Sequence, residues 1–213
     1  DNTLIFYIVG DNGASGEGGL EGTVNEVASL NGIQLGLAGL EAKFDEIGGP
    51  ETEPHVPAAW AWAADTPFQW TKQVASHFGG TRNGMAMSWP ARIKDAGGIR
   101  HQFHHVIDIV PTILEAAGLP EPVSINGIAQ RPIEGVSMAY TWGDAKAPDR
   151  RTTQYFEMFG SRAIYNDGWV AAAPPVQAPW ILTLAQPPAD VMNGFKWELY
   201  DTNKDWTQAH DLA

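Results

Sequence analysis

The first stretch of the chain, Thr3-Leu4-Ile5-Phe6-Tyr7-Ile8-Val9, is apolar without polar alternation and stops at Gly10-Asp11-Asn12-Gly13. A run of β-branched and aromatic residues of this kind predicts a strand covered on both faces, as in the parallel sheet of an α/β protein. Such a strand needs neighbours, so the pattern also predicts a fragment or a processed chain. Further on, Leu30, Ile33, Leu37 and Leu40 fall at near-helical spacing, but Gly32, Gly36 and Gly39 interrupt it. Each glycine costs a helix about 1 kcal/mol relative to alanine, which predicts a broken helix or an insertion. Gly48-Gly49-Pro50 stops it, and Glu51 to Pro57 is read as a loop. In Pro57 to Thr66, Trp60 and Trp62 are separated by one residue. In an extended segment both rings would lie on one side, either beneath the core or along a substrate entrance.

Gly79-Gly80-Thr81-Arg82 predicts a tight turn that exposes its backbone, and Met85 to Trp89 a short strand ended by Pro90. The clearest local signal follows. Asp108 is placed as an N-cap, Pro111 stands at the third helical position, Ile109, Ile113, Leu114 and Ala117 form a stripe, and Gly118 and Pro120 end the helix. Pro120 to Gly135 reads as loop. Beyond it, Gln154 to Phe159 alternates, and Arg162 to Tyr165 and Trp169 to Ala173 flank Asn166-Asp167-Gly168, a strong hairpin signal. Pro174 to Asn193 reads as a Pro-rich excursion, and Trp197 to Asp201 as a last strand.

Composition narrows the class. With 44% apolar and 18% charged residues in 213, the chain is globular and able to bury one good core, or a core and a small appendage. A net charge of −12 without a basic cluster excludes a nucleic-acid backbone as partner. No window approaches the roughly 20 apolar residues of a membrane span. There is no cysteine, so thiolate metal sites and disulfides are excluded, and the compartment is not legible.

The candidate chemistry begins at Asp11 and Asn12. At the carboxyl end of a sheet strand, where open α/β sheets bind ligands, a carboxylate and a carboxamide are oxygen donors suited to a hard cation; an Asx-Gly turn that merely ends the strand explains the same residues. His101 and His105, four apart, would share a helical face, yet no further ligand is evident beside them and the zinc-protease pattern is absent.

Taken in order, Gly10-Asp11-Asn12-Gly13, Gly79-Gly80-Thr81-Arg82, Ser88-Trp89-Pro90, Ile107 to Leu114 and Trp197-Glu198-Leu199-Tyr200-Asp201 resemble the later part of a type I sulfatase, more narrowly the bacterial arylsulfatases of the alkaline-phosphatase superfamily. The resemblance implies an α/β fold: part of an alkaline-phosphatase-like sheet with flanking helices over 1–121, then a small α+β domain with antiparallel strands over 122–213. It implies a Ca²⁺ or another divalent cation held in part by Asp11 and Asn12, a substrate sulfate contacted by Lys72, and His77 holding the loop or a substrate oxygen. Ser88-Trp89-Pro90-Ala91-Arg92 fits the letters of the family's formylglycine signature but not its place, since that signature opens a helix in the amino-terminal half. Formylglycine is therefore expected in a missing amino-terminal part, which would be a partner of this chain alongside a small-molecule sulfate ester. The chain alone is expected to be inactive. A periplasmic or secreted location fits the resemblance. Two alternatives stand beside it: a phosphonate monoester hydrolase or phosphodiesterase of the same superfamily, and a non-catalytic binding or assembly module.

Overall fold

In a computed structural model the described residues are 2–10, 13–181, 190 and 193–213. Their elements run β1 (Ile5–Val9), α1 (Glu26–Leu30), α2 (Gly36–Ala42), α3 (Ala58–Asp65), α4 (Phe78–Thr81), β2 (Gly84–Ser88), α5 (Ile109–Ala117), β3 (Ser124–Ile125), β4 (Ile128–Ala129), β5 (Thr153–Met158), β6 (Ser161–Asn166), β7 (Trp169–Ala173) and β8 (Glu198–Asp201). They divide into two compact units, one made of the residues up to Tyr7 with Met85–Gln154, the other of Ile8–Gly84 with Tyr155–Ala213.

The first unit contains most of β1 and of β2, helix α5 and strands β3 and β4. Helix α5 ends as predicted, with Gly118 in the left-handed region at φ 68. It starts where predicted, with Asp108 at the N-cap position and Pro111 third in the helix, but the cap itself is a correction. Asp108 makes no side-chain cap of α5; a 3₁₀ turn over Val106–Asp108 precedes the helix, and the His105 ring caps that turn. The Asp108 carboxylate, fully buried, instead accepts from Arg151 Nε at 3.0 and 3.1 Å, Val136 N at 2.7 Å and His105 N at 2.9 Å. A buried charge needs such partners, and here they outnumber what a helix cap supplies. The supposed loop from Pro120 to Gly135 contains the small hairpin β3-β4, turned by Asn126 (φ 50) and Gly127 (φ 80). Two positive-φ residues make this the primed turn that matches strand twist, and Asn-Gly was its signal.

The second unit contains most of β5 and all of β6, β7 and β8, which form one sheet in that order. Strands β6 and β7 pair antiparallel about Asp167 (φ 49) and Gly168 (φ 87), as the Asp-Gly signal predicts. Alternation puts Ser161, Ala163 and Tyr165 of β6 and Val170 and Ala172 of β7 into the core. Helices α1 and α2 are the two pieces of the broken helix, parted around Gly32 at φ 81. Pro57 to Thr66 is not extended: α3 forms there, because alanine-rich sequence directly after a proline favours helix over strand. On a helix Trp60 and Trp62 diverge, and Trp60 is 68% exposed while Trp62 joins Trp70 and Trp180. The Gly79-Gly80 pair lies inside α4 and is buried, not exposed. A Cβ there would stand 2.2 Å from Gln69 O and from Val74 O respectively, so glycine is needed for backbone contact.

Candidate functional site

Asp11 and Asn12 lie outside the described residues, but the glycine that follows them fixes where the chain goes next. Gly13, at φ 89, lies so close to the Lys72 segment that a Cβ on it would stand 1.9 Å from Gly79 O and 2.9 Å from Lys72 N. The Ala14 carbonyl then accepts the Lys72 backbone N–H at 3.1 Å, and the Ala14 N–H donates to Asp65 Oδ1 at 2.8 Å. The backbone just past the Asp-Asn pair is thereby stitched between the lysine loop and the end of α3.

That loop is bent hard on either side of Lys72: Trp70 has φ 67 and Gln73 φ 75. Non-glycine residues hold such a conformation only where their surroundings impose it. Lys72 Nζ donates to Glu17 Oε2 at 3.0 Å. Glu17 also receives the Ser15 hydroxyl at 2.7 Å and the Gln73 side-chain amide. Burial pushes the Glu17 carboxyl up, but the Ser15 hydrogen bond and the Lys72 ammonium outweigh it and leave the group below its ordinary range. His55 Nε2 lies 3.7 Å from Glu26 Oε1 and 4.0 Å from Glu17 Oε2, so Glu17, Glu26 and His55 form a group of metal-ligand type among the described residues. Within it, Glu17 Oε2 is already engaged by Lys72 and Ser15. Glu17 and His55 escaped the sequence reading because a Gly-rich tract and a Pro-rich loop carry no periodicity to say which way a side chain points.

His77 is 1% exposed, and burial pulls its ring down to a pKa of about 4, so it is neutral near pH 7. Ser76 Oγ lies 2.8 Å from Nδ1, while Nε2 faces Tyr200 Oη at 3.4 Å and Glu198 Oε2 at 3.3 Å. A hydrogen on Nε2 satisfies this arrangement, with Nδ1 accepting from serine. Tyr200 donates to Glu198 Oε2 at 2.9 Å. Glu198 and Tyr200 are two apart on β8, so strand alternation places both on the face that meets His77. That spacing was readable in the sequence. Gln208, also fully buried, accepts the Phe78 N–H at 2.8 Å and donates to Ser76 O at 3.4 Å.

Beside the lysine loop, Trp62, Trp70 and Trp180 form an aromatic group with centroids 5.9–6.2 Å apart. Trp180 reaches to 3.5 Å from where a Cβ on Gly16 would stand, one residue before Glu17.

The remaining motif residues belong to the first unit. Ser88 ends β2, and the backbone N–H groups of Arg92 and Ile93 both return to Trp89 O, so a turn follows and no helix opens there. His101 is exposed. The His104 ring meets the buried carboxylate, with Nδ1 3.2 Å from Asp108 Oδ2, and His105 reaches the same carboxylate through its backbone N–H.

A family model described as Sulfatase matches residues 1–119. An uncharacterized sulfatase of Schizosaccharomyces pombe is 28% identical over 218 residues, covering 100% of this chain and 35% of its own length. The chain thus spans about a third of that relative. A Bacteroides thetaiotaomicron protein solved in work on the metabolism of multiple glycosaminoglycans is similar in structure at a TM-score of 0.51, with 17% identity over 88% of this chain and 39% of its own. A protein solved in complex with its substrate D-glucosamine-2-N,6-O-disulfate matches at a TM-score of 0.44, with 17% identity over 62% of this chain and 24% of its own. The family model alone covers more than half of the residues, its span takes in both the Asp-Asn-Gly segment of the sequence and the Lys72 loop, and the fold is that of the sulfatases: this chain belongs to the sulfatase family.

Proposed function

We propose that the chain is the carboxyl-terminal portion of an arylsulfatase, an enzyme that hydrolyses a sulfate ester to a phenol or alcohol and sulfate. The observation that carries this reading is the close approach of Gly13 to Lys72 N and Gly79 O, which joins the segment after Asp11-Asn12 to the lysine loop. Lys72 supplies a fixed positive charge for the sulfuryl oxygens and the departing oxygen, where negative charge grows in the transition state. The strained backbone at Trp70 and Gln73 holds that charge in place before substrate arrives. Trp62, Trp70 and Trp180 offer flat apolar surface for an aromatic leaving group. His77, neutral and inside the fold, supports the loop and does not transfer protons to solvent-borne substrate.

Asp11 and Asn12 are hard oxygen donors that suit Ca²⁺, and two donors fall short of the six to eight it takes, so the remainder of the cage comes from elsewhere. When bound, the ion supplies charge neutralisation and orientation at sulfate. No segment of this chain fits the formylglycine signature in its proper setting, and the isolated chain is accordingly expected not to turn over.

The test is hydrolysis of 4-nitrophenyl sulfate by the full-length gene product that carries this chain, with and without chelator, against the matching phosphate and phosphonate esters. Chelator-sensitive release from the sulfate, falling about 100-fold or more in Lys72→Ala, is the expected result. A preference for the phosphonate ester would move the chain to the other hydrolase class. Metal-dependent release by the 213-residue chain alone would overturn its incompleteness.

A further inference from the structure

The lysine of the proposed site is held at both ends by one short segment. Its backbone N–H goes to Ala14 O at 3.1 Å and its ammonium to Glu17 Oε2 at 3.0 Å. A side chain with four rotatable carbons is ordinarily the freest in a protein, and a surface ion pair is ordinarily worth little because fixing both partners costs entropy. This pair differs in that the carboxylate is already fixed. Glu17 is 16% exposed, its Oε2 takes the Ser15 hydroxyl at 2.7 Å, its Oε1 takes the Gln73 amide, and its own N–H donates to Ser15 Oγ at 3.3 Å. Gln73 is the residue after Lys72 and has φ 75, so its unusual backbone turns the amide toward the same carboxylate.

We propose that Glu17 is a positioning residue for Lys72, a clamp that selects the rotamer from which the ammonium meets the sulfate ester. This rests on the reading of Lys72 as the sulfate contact. The clamp has a chemical consequence. Glu17 is itself an anion near an anionic substrate, so removing its charge should not weaken ground-state attraction for sulfate. It should instead release the lysine from the position in which it stabilises the transition state. A loss in kcat with little loss in KM is the signature of that distinction.

The experiment is a double-mutant cycle in the full-length gene product with 4-nitrophenyl sulfate, using Glu17→Gln, Lys72→Ala and the pair. Alongside it, the lysine Nζ resonances are followed by NMR through a pH titration of this chain and its Glu17→Gln variant. Expected are a fall in kcat of roughly 10- to 100-fold for Glu17→Gln with KM within about threefold, an intermediate fall for Glu17→Asp, no further fall when Glu17→Gln is added to Lys72→Ala, and a lowered Lys72 pKa in Glu17→Gln. An equal fall for Glu17→Gln in the Lys72→Ala background means that Glu17 acts without the lysine, and overturns the proposal. An unmoved Lys72 titration overturns it too. Full turnover by Lys72→Ala removes the sulfate-contact reading itself, and with it any role for a clamp, while an intact pair in the titration would then mark a contact of the fold only.

Discussion

At the scale of single residues, the site is set by backbone proximity, and this can be separated from backbone strain. Gly13 and Gly48 have similar positive φ, 89 and 83, but only Gly13 has neighbours, since nothing lies within 4 Å of a Cβ at Gly48. Gly48→Ala is expected to cost about 1–3 kcal/mol from strain alone, and Gly13→Ala clearly more, in urea unfolding of the two variants. His77 gives a second prediction. Its folded pKa of about 4 lies below the model-peptide value of 6.5, so the unfolded chain binds the extra proton first. The stability tied to its neutral form is present above pH 6.5 and is lost as pH falls toward 4, by no more than about 3 kcal/mol. Denaturation midpoints measured from pH 7 to pH 4 should show that slope, and His77→Gln should flatten it. Sequence reading reached Lys72 and His77 through family resemblance, but it could not see Glu17, because nothing local distinguishes one glutamate in a Gly-rich tract from a solvated one.

At the scale of elements, the terminators were more legible than the beginnings. Gly118, Asp167-Gly168 and Gly32 act where they stand, since a residue that tolerates positive φ imposes its effect locally. Asp108 shows the opposite case. Its place before a helix suggested a cap, whereas long-range partners, Val136 and Arg151 above all, decide what the carboxylate does. Arg151 is 43 residues away, and no local pattern announces it. Removing one member of a buried charged pair strands the other, so Asp108→Ala should cost about 3–5 kcal/mol, read from urea unfolding. Burial alone would raise the Asp108 carboxyl; its hydrogen bonds from His104, Arg151 and the backbone overcome this and hold it far below the usual range. Its contribution is therefore complete above the ordinary carboxylate pKa and disappears only in stronger acid, at a pH lower than the His77 effect. The α3 segment failed for another reason: two tryptophans separated by one residue read as a strand face, and the alanines around them, weak evidence singly, set the outcome.

Across the whole molecule, the opening strand keeps the composition of a buried element but not its burial. Ile5, Tyr7, Ile8 and Val9 are 42–66% exposed in a chain whose net charge is −12. Among the described residues β1 pairs with β2. Apolar strand surface of this kind marks a place where other protein packs, or where copies associate. The purified chain is expected to bind the dye ANS and to self-associate at micromolar concentration, and the pair Ile5→Lys with Tyr7→Lys to reduce both in fluorescence and sedimentation measurements.

The burial of Gln208 reaches further than its place near the end of the chain suggests. With φ 58 and its side chain on Phe78 N and Ser76 O, it closes the same short stretch that carries the lysine. Truncation before Gln208 would therefore loosen the Lys72 loop from behind, and, on the proposed reading of Lys72 as the sulfate contact, a fault that originates in a missing latch would be misread as a defect of chemistry.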